Sequence, residues 1–346
     1  MSADMHFSID DFIDELERQT SRPLAFQSET KDEWILWRSR LRSKLFELME
    51  PLPEPAPPNL RILESVDLDG IIRHKAVYST EAAVDVPAFL FVPDGAGANG
   101  SLPGLVALHG HGIGKDSVSG ESSGDEPHNN YALEFAKRGH IVLAPDARGF
   151  GERSEGFGQR EPGQTTGIFG SRDGCNVSFL KTMLFGINLM SRNIWDDIKA
   201  VDVLSSNPAV DADRVGCVGL SFGGTRTMYL AAVDPRIKVA VMSGYLTTFA
   251  KYALEMGNFC GSQFLPGIYR YADVPDIVGA IAPRPLLVEA GIRDSGFPVE
   301  TSREAHKVLE RIYAVAGASD RLARDEFDAG HQFSGRLAFD FVGKWL

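Results

Sequence analysis

Apolar residues change their spacing twice along this chain, and the changes divide it. Trp34, Trp37, Leu41, Leu45 and Leu48 recur with gaps of 3, 4, 4 and 3, the stripe of an amphipathic helix. Pro51, Pro53, Pro55, Pro57 and Pro58 then stop that helix and stiffen a linker. Residues 1–58 are thus expected to be an N-terminal helical extension with a Pro-rich linker. Its stripe is expected to pack back on the main body, with a homo-oligomer contact through this helix as the alternative. From Leu60 the pattern turns to strands: Leu60 to Val66, Ile71 to Tyr78 and Val84 to Val92, the last with Val84, Val86, Ala88, Leu90 and Val92 on one face. Asp67 to Gly70 supplies a turn, so an antiparallel meander at a sheet edge is expected, with Pro87 on an edge.

Next comes alternation. Leu105–Leu108, His140–Ala144, Val215–Leu220, Ile237–Met242, Pro285–Glu289 and Leu322–Phe327 read as strands. Tyr131–Arg138, Phe185–Leu204, Gly223–Ala232 and Ser302–Ala314 read as helices. Continuous apolar strands separated by helices mean an α/β fold, a mostly parallel sheet covered on both faces. Residues 59–346 form that domain, interrupted by long connections at 149–180 and 245–283. Both are rich in glycine and aromatics, Phe157, Phe169 and Phe179 in the first, and are expected to wall a binding pocket.

Composition narrows the function. Of 346 residues, 43% are hydrophobic and 24% charged, and the formal net charge of −12 disfavours nucleic acid and anionic membranes as partners. No apolar run approaches a membrane span and the first residues do not resemble a signal peptide, so a cytoplasmic protein is expected. Cys175, Cys217 and Cys260 are too widely spaced to suggest a disulfide framework or zinc motif, and Cys260 reads as a small buried hydrophobe.

The chemistry centres on Gly219-Leu-Ser-Phe-Gly223, a G-x-S-x-G between an apolar strand and a helix. The glycines permit a sharp turn that lifts the Ser221 hydroxyl clear of the sheet, and the Phe222 amide is left to stabilise an oxyanion. A serine needs a base, and in this arrangement the order is Ser, then Asp or Glu, then His. His306 falls in a helical pattern, whereas His331 sits in a glycine-flanked loop after a strand and is the expected base. Among Glu289, Asp294 and Glu300, Asp294 lies just past a strand's C-terminal end and is the expected acid, with Glu289 in reserve. The loop Leu108-His-Gly-His-Gly112 is expected to give the second oxyanion donor, the amide of His111. Gly110-x-Gly112 is no dinucleotide fingerprint, because Lys115 stands where its third glycine would be. His109 and His111 could ligate a metal, but no second ligand cluster is visible in the sequence, so neither a metal nor a cofactor is expected. Asp146, Arg148, Asp196 and Asp197 read as structural.

Leu108-His-Gly-His-Gly112, Ala144-Pro-Asp-Ala-Arg-Gly-Phe-Gly151, Gly219-Leu-Ser-Phe-Gly-Gly224, Ala282-Pro-Arg-Pro-Leu286 with Asp294, and Gly330-His331 together resemble the α/β-hydrolase superfamily. More narrowly, the chain is similar to its dienelactone hydrolase and acetyl xylan esterase-like branch over about residues 60–346. The resemblance implies an eight-stranded, mostly parallel sheet, no cofactor, and Ser221, Asp294 and His331 as a catalytic triad. Dienelactone hydrolases proper are associated with a cysteine nucleophile, so Ser221 favours ester hydrolysis. The expected function is a serine carboxylesterase that cleaves a small-molecule ester, such as an acetylated sugar or a lactone, through an acyl-enzyme. A peptidase or amidase on the same triad, and a non-catalytic binding protein on this fold, are the alternatives.

Overall fold

A nine-stranded sheet runs through the computed structural model, which describes residues 8–97, 99–120, 127–154 and 171–346, those at 171–174 by backbone alone. The strands are β1 (Arg61–Asp67), β2 (Ile71–Glu81), β3 (Val84–Pro93), β4 (Leu102–Leu108), β5 (Ile141–Pro145), β6 (Val210–Leu220), β7 (Ile237–Ser243), β8 (Leu286–Gly291) and β9 (Leu322–Phe327). They lie in the order β1-β2-β3-β5-β4-β6-β7-β8-β9. The meander β1-β2-β3 is antiparallel and joins β5 antiparallel; every pairing from β5 to β9 is parallel. The sheet therefore has one strand more than the resemblance implies. β3 is an inner strand rather than an edge, because β5 pairs with its Ala88–Phe91 half. Pro87 is tolerated there because it lies one residue beyond that ladder, where its carbonyl accepts the Asp146 amide at 3.0 Å.

Consecutive residues of the inner strands feed two cores. Val106, Leu108, Ile141 and Leu143 point to one face, where they meet α5 (Leu189–Ser206), α6 (Phe222–Val233) and α8 (Val299–Ala316). Leu105, Ala107, Val142 and Ala144 point to the other, against α3 (Tyr131–Ala136) and α9 (Ala338–Trp345). Helix α4 (Ser171–Met183) comes from the first long connection and the short α7 (Val274–Gly279) from the second. Residues 155–170, with Phe157 and Phe169, lie outside the described residues, and so does the expectation that they wall a pocket.

The N-terminal segment carries two helices. α1 (Ile9–Gln19) buries nothing, and Ile9, Phe12 and Leu16 on it are exposed. α2 (Lys31–Met49) starts at a capping box, the Thr30 hydroxyl accepting the Glu33 amide and the Glu33 carboxylate accepting the Thr30 amide. Its Trp34, Trp37, Leu41 and Leu45 are buried against the body of the same chain. The stripe runs on through Met49 while Leu48 is only half-buried, since strict i, i+4 steps from Leu41 keep one face. Arg38 and Arg42 fasten this helix by donating to the Ala280 and Val233 carbonyls, each at 2.8 Å. Among the described residues no helix is long and apolar enough to cross a membrane.

Candidate active site

The turn from β6 into α6 is where the backbone is forced furthest. Ser221 has φ 60° and ψ −121°, a conformation that costs a non-glycine residue about 1–3 kcal/mol and persists only when its surroundings hold it. The Ser243 carbonyl at the end of β7 accepts the Ser221 amide at 2.9 Å, and the Ser221 carbonyl accepts the Thr225 amide at 3.0 Å. Gly223 is required because a Cβ there would stand 1.8 Å from the Leu108 carbonyl oxygen of β4. The helix so opened leaves its first amides, Phe222 foremost, without an intrahelical acceptor. Beneath it the buried guanidinium of Arg226 grips Asp197 through Nε at 3.0 Å, a second N–H reaching the other carboxylate oxygen, and this anchors the helix that carries Ser221.

Asp294 lies three residues past the end of β8 and is buried. One of its oxygens accepts the Gly296 and Phe297 amides at 2.8 and 3.0 Å, and the other accepts His331 Nδ1–H at 2.6 Å. An ionised carboxylate only accepts, so Nδ1 carries the ring proton and Nε2 keeps its lone pair. The Phe297 ring stacks on the imidazole, centroids 5.4 Å apart and planes 19° apart. Ser243 links the two sides, its carbonyl on Ser221 and its hydroxyl donating to the Gln332 carbonyl at 3.4 Å.

Ser221, Asp294 and His331 line one cavity of about 510 Å³, with His111, Asn258 and Gln263 also in its wall. The size suits a small substrate. The other acid–base candidates lie elsewhere. Glu300 is exposed on α8 beside Arg303, and His306 is buried on that helix, 4.0 Å from Glu310. Glu289 is fully buried, and its carboxylate accepts the Ser334 and Gly335 amides, each at 3.1 Å. It thus braces the loop that follows His331 rather than the imidazole itself, and burial pushes its pKa up to about 7.

The loop after β4 is pinned by two rings. His109 Nδ1–H donates to the Gly110 carbonyl at 2.7 Å while Nε2 accepts the Ala147 amide at 3.0 Å. Burial, then the charge of Arg226, holds it well below the usual histidine range. His128, which the sequence did not single out, accepts the Gly110 amide on Nε2 at 2.9 Å. Burial and the neighbouring His331 push it down to about 4, so it stays a neutral acceptor. Outside the cavity, Asp146 accepts the Lys115 amide and ammonium at 2.7 and 3.0 Å, and Asp196 pairs with Arg148 and Arg153, each at 2.8 Å. Asp146, Arg148 and Asp196, like Asp197 on Arg226, thus hold loops and helices in place.

Cys260 is not merely a small hydrophobe. Its sulfur lies 3.3 Å from His111 Nε2, and Cys175 of α4 joins them, with ligand atoms of all three within 4.8 Å of one another. The hydrogen bond from the Cys175 thiol, followed by the imidazole, lowers the Cys260 thiol against its burial. Residues 85 positions apart with no spacing motif gave no signal of this group in the sequence.

The chain matches the profile of the Abhydrolase family over residues 2–329. It is 27% identical over 321 residues to the Bacillus subtilis (strain 168) protein named "Putative hydrolase YtaP", an alignment of 89% of this chain and 100% of that one. A crystal structure titled as a "putative acetyl xylan esterase" from Bacteroides fragilis superposes with a TM-score of 0.79 at 20% identity, over 94% of this chain and 84% of that one. A glucuronoyl esterase from Solibacter usitatus gives 0.67 at 14% identity, over 93% and 96%. Likenesses at that identity carry the fold, and the profile carries the family. The chain is a hydrolase of the α/β-hydrolase fold and belongs to the Abhydrolase family.

Proposed function

We propose that this chain is a serine carboxylesterase acting on a small, uncharged ester such as an acetylated sugar. The observation that carries the reading is the 2.6 Å bond from His331 Nδ1 to a buried, doubly braced Asp294, on the wall of the cavity that holds the strained Ser221. His331 Nε2 removes the proton as the Ser221 oxygen attacks the ester carbonyl. The Phe222 and His111 amides receive the oxyanion, and loss of one such donor typically costs about 2.7–4 kcal/mol in the barrier. The imidazolium, oriented by Asp294, then gives its proton to the departing alcohol. Water, deprotonated by the same nitrogen, attacks the acyl-enzyme and frees the acid and Ser221.

The choice of an uncharged substrate rests on the cavity wall. Among the described residues no lysine or arginine lines it, so a uronic carboxylate has no countercharge there. Asn258 and Gln263 bring carboxamides, which suit hydroxyl groups. Structural neighbours named as esterases support ester over amide hydrolysis. Turnover of p-nitrophenyl acetate, an acetylated monosaccharide, a methyl uronate and an amino-acid anilide decides among these. The acetyl esters should lead, with Ser221→Ala reducing kcat by about 10,000-fold or more. Preference for the anilide would make the chain a peptidase or amidase. No turnover of any of the four would favour a binding role.

A further inference from the structure

We propose that His111, Cys175 and Cys260 form a binding site for a thiophilic divalent ion, zinc by its ligand chemistry, in the wall of the catalytic cavity. The three residues come from three separate segments: the loop after β4, helix α4 and the second long connection. They nevertheless converge with ligand atoms within 4.8 Å of one another, and His111 Nε2 already stands 3.3 Å from Cys260 Sγ. Tetrahedral zinc with bonds near 2.3 Å to sulfur and 2.0–2.1 Å to nitrogen needs ligand separations of about 3.8 Å and 3.6 Å. The separations present, 3.3 Å for that pair and at most 4.8 Å among the three, bracket those values.

The backbone around the cysteines is held for such an arrangement. Helix α4 lies so close to the second connection that a Cβ at Gly261 would meet the Phe179 side chain at 2.2 Å. The Asn176 side chain accepts the Gly261 amide at 2.9 Å, and the Gln263 side chain accepts the Cys260 amide at 3.0 Å. Each cysteine is thus next to a residue whose position is fixed by a bond between the segments. Both sulfurs are buried, while His111 is half-exposed and lines the cavity. Three protein ligands leave the fourth position for water or a small anion on the cavity side. Binding displaces one proton from each thiol, and the two thiolates neutralise the ion, so no net charge is buried. A set of two sulfurs and one imidazole selects zinc over magnesium or calcium. The ion would clasp both long connections to the loop that carries the proposed oxyanion donor.

The test uses the full chain, reduced and stripped of metal under argon, then titrated with zinc chloride and, separately, cobalt chloride. One equivalent of zinc should survive desalting, and cobalt should give thiolate-to-metal charge-transfer absorption. Cys175→Ser and Cys260→Ser should each raise the apparent zinc Kd at least about 100-fold, beyond what loss of an outer partner costs. Cys217→Ser, on β6, should leave it unchanged. Zinc should also slow alkylation of Cys175 and Cys260 in the unaltered protein, a readout that no misfolded variant can confuse. No bound zinc, affinity untouched by both cysteine substitutions, or a Cys175–Cys260 disulfide that forms in air while the reduced protein takes up no metal would each overturn the proposal. All of these readouts are independent of whether the enzyme cleaves esters.

Discussion

The two halves of the cavity that holds Ser221, Asp294 and His331 are built on different principles. Asp294 and His331 follow the ends of adjacent parallel strands, and β8 and β9 pair along six residues from Leu286–Leu322 to Gly291–Phe327. The carboxylates of that half are fully engaged: Asp294 accepts three hydrogen bonds, and Glu289 secures the chain just after His331. The opposite wall comes from the loop after β4, from Pro127 and His128, and from the connection between β7 and β8, against which helix α4 packs. It is joined by side-chain contacts, His111 to Cys260 and Asn176 to Gly261, rather than by a ladder. Strand ends give Asp294 and His331 fixed positions, while loops give the wall a shape that can differ between relatives on one scaffold.

Substitutions can sharpen this contrast. The largest effect is expected at the ladder side, where Asp294→Asn should lower kcat on an acetyl ester by about 10,000-fold by disturbing the tautomer of His331, with folding retained. Stopped assays beside a thermal melt check both parts. A drop below tenfold would show that Asp294 does not orient the base.

The N-terminal segment offers a second, structural contrast. Leu45→Ala, in the buried stripe of α2, should destabilise the protein by about 2–5 kcal/mol in urea unfolding. Phe12→Ala, on the exposed α1, should stay within about 0.5 kcal/mol.

Acid should expose the buried rings. His128 and His306 are both held at about 4, below their ordinary 6.5, so the unfolded chain binds protons first as pH falls. Their contribution to stability is full above 6.5 and is lost as pH falls from 6.5 towards 4. Glu289, raised from 4.5 to about 7, acts in the opposite sense, and its contribution is lost as pH rises through that window. Asp276, raised to about 6 by burial, acts with Glu289 against the two histidines, so Glu289→Gln should make the melting temperature rise more steeply with pH between 4.5 and 6.5 than it does in the wild type. An unchanged slope in Glu289→Gln would contradict the burial assigned to that carboxyl.

The smallest effect belongs to the loop wall. Gln263 has its carboxamide oxygen engaged by the Cys260 amide and offers the NH₂ end to the cavity. Gln263→Leu should raise KM for an acetylated sugar by about tenfold, the value of one hydrogen bond, while kcat changes little. An unchanged KM would remove Gln263 from substrate recognition.

What the sequence made legible follows the same division. Strands β4 to β8 announced themselves as apolar runs, and β9 matches its expected bounds, Leu322 to Phe327, although Arg324, Asp325 and Glu326 interrupt it. Ser221, Asp294 and His331 were legible because each stands where a strand ends. His128 was not, because a histidine that accepts a backbone amide 18 residues away has no local pattern. Cys175 and Cys260 were opaque for the same reason, as only the docking of α4 brings them together. Helix α1 was missed although Ile9, Phe12, Ile13 and Leu16 recur at helical spacing, a stripe that stays outside the core, and α9 was missed since its eight residues are too few to show a period.

The central claim is that Ser221 is activated by the His331–Asp294 pair, and intact-mass spectrometry after treatment with a fluorophosphonate tests it most directly. One adduct should form on the peptide that holds Ser221, with labelling abolished by Ser221→Ala and slowed at least about a thousandfold by His331→Gln. A second site of labelling that survives Ser221→Ala, or an unchanged rate in His331→Gln, would contradict it.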